Sequence, residues 1–179
     1  MTPLLANAGV PMLVIQWPLM AMALVPIVLV EVAVMRRSIA VPYRTAFLNV
    51  GLANVASTLV GVPLAWAVMV VIELAVTVPA DGIGFPSSLP PAAAAAAFLV
   101  QVAWLSPDPH YLYWMIPAAA TILLVPCFFA SVPIERWVLA WRWQTVDRAQ
   151  VRAAVLWANV WSYALLLVAG SIWTLVSLQ

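Results

Sequence analysis

The sequence predicts an all-α integral membrane protein: four transmembrane helices arranged as a parallel 2+2 repeat, plus a short re-entrant or interfacial helix on the outer side. Three observations carry this. The 179 residues are 66% hydrophobic and 7% charged, with a mean hydropathy of +1.09, whereas a soluble domain carries about 25% charged residues. The chain has no Lys. Its seven Arg fall in two short stretches, Arg36, Arg37 and Arg44, then Arg136, Arg142, Arg148 and Arg152, and basic residues beside short loops are held on the cytoplasmic side. Finally, one pattern of polar residues occurs twice.

Helix one is expected from about Val10 to Met35, with Trp17 at the outer interface and Arg36-Arg37 at the inner one. That stretch covers about 27 Å at the helical rise, close to a hydrocarbon core. Pro18 and Pro26 inside it predict a bend, because neighbouring groups in a bundle re-satisfy the freed carbonyls. Helix two follows Arg44 and stays apolar to Val78, too long for one perpendicular span. Gly61-Val62-Pro63 offers a kink, and Ala67 to Val78, with Glu73, either continues above the bilayer or folds along it.

A loop rich in Gly, Ser and Pro then runs from Asp81 to Pro91. Ala92–Leu105 is helical in composition but short of a span. A full crossing there would put one Arg cluster outside, so the charge rule makes this helix re-entrant or interfacial. Tyr111, Tyr113 and Trp114 form an interfacial belt. Helix three is expected from there to Glu135, and helix four from about Ala153 to Leu178. The result is a single membrane domain, 1–179, with repeat one at about 10–78, an outer segment at about 79–110 and repeat two at about 111–179. Both termini lie outside. Without a basic residue before the first apolar run, no cleavable signal is read. The setting expected is the cytoplasmic membrane of a bacterium.

The repeat is read from spacing. Glu31 is followed by Arg44 thirteen residues on, then by Ala53-Asn54-Val55-Ala56-Ser57. Glu135 is followed by Arg148 thirteen residues on, then by Ala158-Asn159-Val160-Trp161-Ser162. Both halves run out–in–out, which makes the repeat parallel, with a pseudo-two-fold axis along the membrane normal.

The candidate polar site is built from these residues: Asn54, Ser57, Asn159, Ser162, Glu31 and Glu135. Asn54 and Ser57 share a helical face, as do Asn159 and Ser162. Small residues beside them (Ala53, Ser57, Gly61; Ala154, Ala158, Ser162) let helices approach closely. The plain reading is packing glue between the halves, each Asn pointing into the bundle because an amide facing lipid is penalised. The sharper reading is a polar solute or ion site on the axis. Glu31 and Glu135 are expected at the cytoplasmic helix ends, in ion pairs with Arg36, Arg37 and Arg136; the sharper alternative is a symmetric proton or cation gate.

No catalytic dyad, paired carboxylates within one segment, or metal-ligand spacing is present. Cys127 is the only cysteine and His110 the only histidine. His110 is the one candidate cofactor ligand, as an axial contact to a pigment or haem at the outer face; no cofactor is otherwise predicted, and its plain reading is an interfacial loop residue. Two Arg clusters at a membrane face do not make a nucleic-acid surface. Ten Trp exceed what two interfacial belts need. The surplus residues, Trp104, Trp137, Trp141, Trp143, Trp157 and Trp161, suggest contact with lipid, pigments or, most plainly, partner subunits.

Val132-Pro133-Ile134-Glu135, matched more loosely by Val28-Leu29-Val30-Glu31, and Asn54-Val55-Ala56-Ser57-Thr58-Leu59-Val60-Gly61 after a basic loop resemble the cyanobacterial filament-integrity membrane proteins of septal junctions. The similarity covers about a quarter of the chain. It implies a non-enzymatic membrane protein that supports an assembly, and no catalytic residues. The expected function is therefore an accessory or scaffolding subunit of a larger membrane assembly, its partners being the bilayer and other membrane subunits or itself. The alternatives are a small transporter or channel component with a polar site between the repeats, and a pigment- or haem-contacting subunit.

Overall fold

The computed structural model describes residues 13–83, 110 and 112–179, with side chains described over 16–72, 110 and 112–179. Among the described residues four helices are present: α1 (Leu13–Met35), α2 (Tyr43–Ile83), α3 (Leu112–Arg142) and α4 (Arg148–Ser177). All four contain a stretch long and apolar enough to cross a membrane. The expected outer helix at 92–105, and Trp104 within it, lie outside the described residues.

The element bounds differ from expectation in three places. α2 continues as one helix through Pro63 to Ile83, about 62 Å at 1.5 Å per residue, so Ala67–Val78 prolongs the helix instead of leaving it. α3 runs to Arg142, seven residues beyond Glu135. α4 starts at Arg148, not near Ala153, because Asp147 caps it by accepting a hydrogen bond from the Gln150 amide at 3.1 Å. Asp147-Arg148-Ala149-Gln150 is an N-terminal helix signal that was legible in the sequence.

The helices form two hairpins, α1–α2 and α3–α4. Each α1 and α3 lies against both α2 and α4, and α1 and α3 approach each other over one short stretch. No Cα of α2 comes within 8 Å of α4 among the described residues. The four helices thus outline a rhombus whose short diagonal joins α1 and α3. The two interhelical connections, each beside a cluster of Arg, lie at the same end, since the Gln150 side-chain amide donates to the Ser38 carbonyl and Arg142 Nε donates to Asn49 Oδ1 at 3.0 Å.

Two packing devices hold the bundle. At the Arg end, Val32, Met35, Ile39, Val50, Leu139 and Val155 make a buried apolar core. Along α2 and α4 the inward stripes are small: Ala46, Ala53, Gly61 and Ala65 on one, Ala154 and Ala158 on the other. In lipid, such stripes bring backbones close enough for van der Waals contact and interhelical hydrogen bonds. A Cβ added at Gly61 would lie 3.5 Å from Ala130 Cβ; one at Gly170 would lie 2.6 Å from Thr121 Oγ1, so at the present approach of α3 and α4 it would force that hydroxyl to move. The outward faces are apolar and exposed, as at Met22, Leu59, Phe129 and Val168, which is an exterior made for hydrocarbon.

Candidate functional site: a crossed carboxyl clasp

Glu31 projects from α1 and Glu135 from α3, across the short diagonal, and they are 0% and 2% exposed. α2 offers Asn54 and Ser57 from one face, and α4 offers Asn159 and Ser162. These six residues form one network. Asn54 Nδ2 donates to Glu31 Oε2 at 2.6 Å, and Ser162 Oγ donates to Glu31 Oε1 at 2.8 Å. Asn159 Nδ2 donates to Glu135 Oε2 at 2.7 Å, and Ser57 Oγ donates to Glu135 Oε1 at 2.9 Å. Each carboxyl group is held by the Asn of its own hairpin and the Ser of the other. α2 and α4, which have no Cα atoms within 8 Å of each other, are joined through both.

The amide orientations follow from their surroundings. Each Nδ2 also donates to the carbonyl one turn back, Asn54 to Val50 O and Asn159 to Val155 O, both at 3.1 Å. Nitrogen facing two acceptors is the only arrangement that fits, and it fixes the side-chain rotamer. Asn159 Oδ1 is buried without a donor.

The serines have a different freedom. Ser57 Oγ also lies 3.0 Å from Asn54 O, and Ser162 Oγ lies 3.2 Å from Asn159 O. A hydroxyl has one hydrogen and two lone pairs. It can donate to an ionised carboxylate, or donate to the backbone carbonyl and accept from a protonated carboxyl. The same heavy-atom positions therefore satisfy either form of each Glu.

Neither carboxyl is in an ion pair among the described residues, which corrects the expected pairing with Arg36, Arg37 and Arg136. Those three side chains are exposed. The physical reason is helix geometry. Arg136 follows Glu135 by one position and so points about 100° away around the helix, while α3 carries on for seven residues past Glu135 and keeps it inside the bundle. The link between the halves also runs through the two Glu, not directly from one Asn-Ser block to the other. Sequence spacing brought out all six residues, but it did not pair the carboxyls with the amides.

One side of the clasp opens into a cavity of about 330 Å³ lined by all four helices. Its polar end carries Asn54, Ser57, Glu135, Ser131 and Tyr163, and its walls run through Leu24, Leu124 and Leu166 to Trp173 and Gln16. Ser131 Oγ and Tyr163 Oη share a hydrogen bond of 2.9 Å, and Gln16 Nε2 donates to Ile116 O at 2.9 Å, tying α1 to α3 at the far end. Gln16 and Tyr163 were not singled out by the sequence, since one polar residue in an apolar run has no periodic signal.

His110 is exposed just ahead of α3. Among the described residues no group of three His, Cys, Asp or Glu is placed to hold a metal ion. Of the surplus Trp, Trp137, Trp141, Trp157 and Trp161 point outward, Trp137 with 73% of its surface exposed; Trp143 instead belongs to the buried core. No family model, curated protein or solved structure matches the chain.

Proposed function

We propose that this chain is a non-enzymatic integral membrane protein acting as an accessory or scaffolding subunit of a larger membrane assembly. The observation that carries the reading is the crossed clasp. The polar groups at the bundle's centre bind helix to helix, fixing two hairpins as one unit, while four large aromatic side chains are turned outward. Trp is enriched at protein interfaces and supplies large contact area. The matched pairs Glu31–Asn54 and Glu135–Asn159 support a parallel 2+2 repeat. The common end of the two Arg connections supports an orientation with that end cytoplasmic in a bacterial inner membrane and both termini outside. The resemblance to septal-junction membrane proteins points the same way.

Affinity purification of the tagged full chain in mild detergent, followed by native mass spectrometry, tests this. Other subunits or further copies should accompany it, and Trp137→Ala with Trp157→Ala should release them. A protein that disperses as a bare monomer under conditions preserving other membrane complexes would overturn the proposal.

A second reading, a small transporter or channel component, is favoured by the cavity that reaches Glu135 from the end opposite the arginines. Uptake or efflux dependent on Glu135 would replace the scaffold reading with this one.

A further inference from the structure

We infer that the central cavity is a binding site for a small amphipathic organic cation, an amine with a compact apolar body whose ammonium group sits at Glu135. The inference concerns binding alone and holds whether the bundle scaffolds an assembly or moves a solute.

The argument starts from charge. Two carboxyl groups lie inside an apolar bundle, where an uncompensated ion is costly. The chain owns seven basic side chains besides His110, all Arg, and every one is among the described residues. They cluster at the Arg end. There they engage other groups: Arg142 bonds Asn49 and lies over Trp141, and Arg36 lies over Tyr43. No Arg bonds either Glu, so the pair is balanced by protons or by a cation from outside the chain, and the cavity gives the cation a way in.

The cavity shows where it would enter. Its volume of about 330 Å³ falls in the range of small-molecule sites, which are mostly apolar with a few convergent polar groups. Glu135, Ser57 and Asn54 line it, whereas Glu31, Asn159 and Ser162 do not. The two halves of the clasp are thus unequal, and only one carboxyl is offered to a ligand. Glu135 accepts one hydrogen bond at each oxygen, from Asn159 and Ser57. A carboxylate has about four lone-pair sites, so it retains capacity for an N–H donor. A charge-assisted bond of this kind is roughly twice as strong as a neutral one. Tyr163 and Cys127, the other titratable groups lining the space, are neutral in their ordinary forms, and α2 brings Asn54, Ser57 and Thr58, none of which ionises. The walls toward Leu24, Leu124 and Trp173 accept hydrocarbon or an aromatic ring.

The test uses the full chain in lipid nanodiscs, with radiolabelled 4-phenylbutylamine as the probe and 4-phenylbutanol as its neutral counterpart, both measured against empty nanodiscs. The amine should bind saturably, and the alcohol about tenfold more weakly or worse, the loss expected for a charged hydrogen bond. Glu135→Gln should lower the amine to the alcohol's level. Leu124→Trp, which fills the cavity and leaves the clasp intact, should abolish saturable binding of both. Equal affinity for amine and alcohol would mean that a proton balances the carboxyls, and would overturn the inference. Uptake no greater than in empty nanodiscs would do the same. If Glu135→Gln does not fold by circular dichroism, Leu124→Trp decides: saturable amine binding that survives it refutes the site.

Discussion

Replacing Asn54 by Leu tests the clasp most directly. Both side chains branch at Cγ, but Leu is the larger, so the loss of the amide comes with a small overpacking cost at this buried position. Two hydrogen bonds disappear: that to Glu31 Oε2 at 2.6 Å and that to Val50 O at 3.1 Å. The second costs little, because Val50 O keeps its place in the helix ladder. The first leaves one carboxyl oxygen without a donor in a residue that is fully buried. A buried acceptor stripped of its partner costs about 1–3 kcal/mol, while interhelical side-chain bonds in membrane bundles average about 0.6 and reach about 1.7 kcal/mol. The expected loss is therefore about 1–2 kcal/mol. A stronger consequence lies in the wiring. Asn54 and Ser162 sit on helices whose backbones stay apart, with no Cα pair within 8 Å, yet both hold Glu31. Asn54→Leu and Ser162→Ala should then be non-additive by about 0.5 kcal/mol or more, as residues in one hydrogen-bond network are. Asn159→Leu and Ser57→Ala should show the same coupling through Glu135. The assay is reversible unfolding of the purified protein in mixed micelles, followed by far-ultraviolet circular dichroism. Strict additivity of Asn54→Leu with Ser162→Ala would refute the shared-carboxyl arrangement.

Glycine substitutions probe the close helix approaches. Gly170→Ala should destabilise by about 1–3 kcal/mol in the same unfolding assay, as overpacking does, because its Cβ would meet Thr121 Oγ1 at 2.6 Å and displace a hydroxyl bonded to Pro117 O. Gly51→Ala, with nothing within 4 Å of the added carbon, should be neutral or stabilising by up to about 1 kcal/mol through helix propensity. Asp147→Ala removes the cap of α4 and should cost about 1 kcal/mol, read as an earlier thermal midpoint. For orientation, with Cys127 replaced, a cysteine at Ser38 or Gln144 should resist an impermeant thiol reagent in intact cells while one at Ser177 reacts; the reverse pattern would invert the proposed topology.

Much of the architecture was legible because membrane proteins obey a severe constraint. With no water to satisfy backbone groups, apolar stretches of this length must be helices, and Gln16–Met35 and Leu112–Arg142 announced themselves by hydropathy and length alone. The clustering of Arg placed both connections at one end, where Gln150 and Ser38 meet. The duplicated spacing singled out the six polar residues because few polar side chains exist in such a chain, so each repeated one stands out. What composition did not supply was pairing. Arg136 is adjacent to Glu135 in sequence, and an ion pair was the simple expectation; the rotation between successive helical positions turns them apart, and the continuation of α3 to Arg142 keeps the carboxyl inside. That Ser162 holds Glu31, 131 residues away, depends on which helices share the short diagonal of the bundle. The inequality of the two carboxyls, one sealed and one facing a cavity, depends on how the four helices pack around them, which the repeated spacing does not show. Sequence by itself determined the helices, their common charged end and the inventory of polar groups, since those follow from solvent and local periodicity. Only the tertiary structure decided who bonds to whom, because hydrogen-bond partners are chosen by the relative rotation of packed helices, which no local pattern encodes.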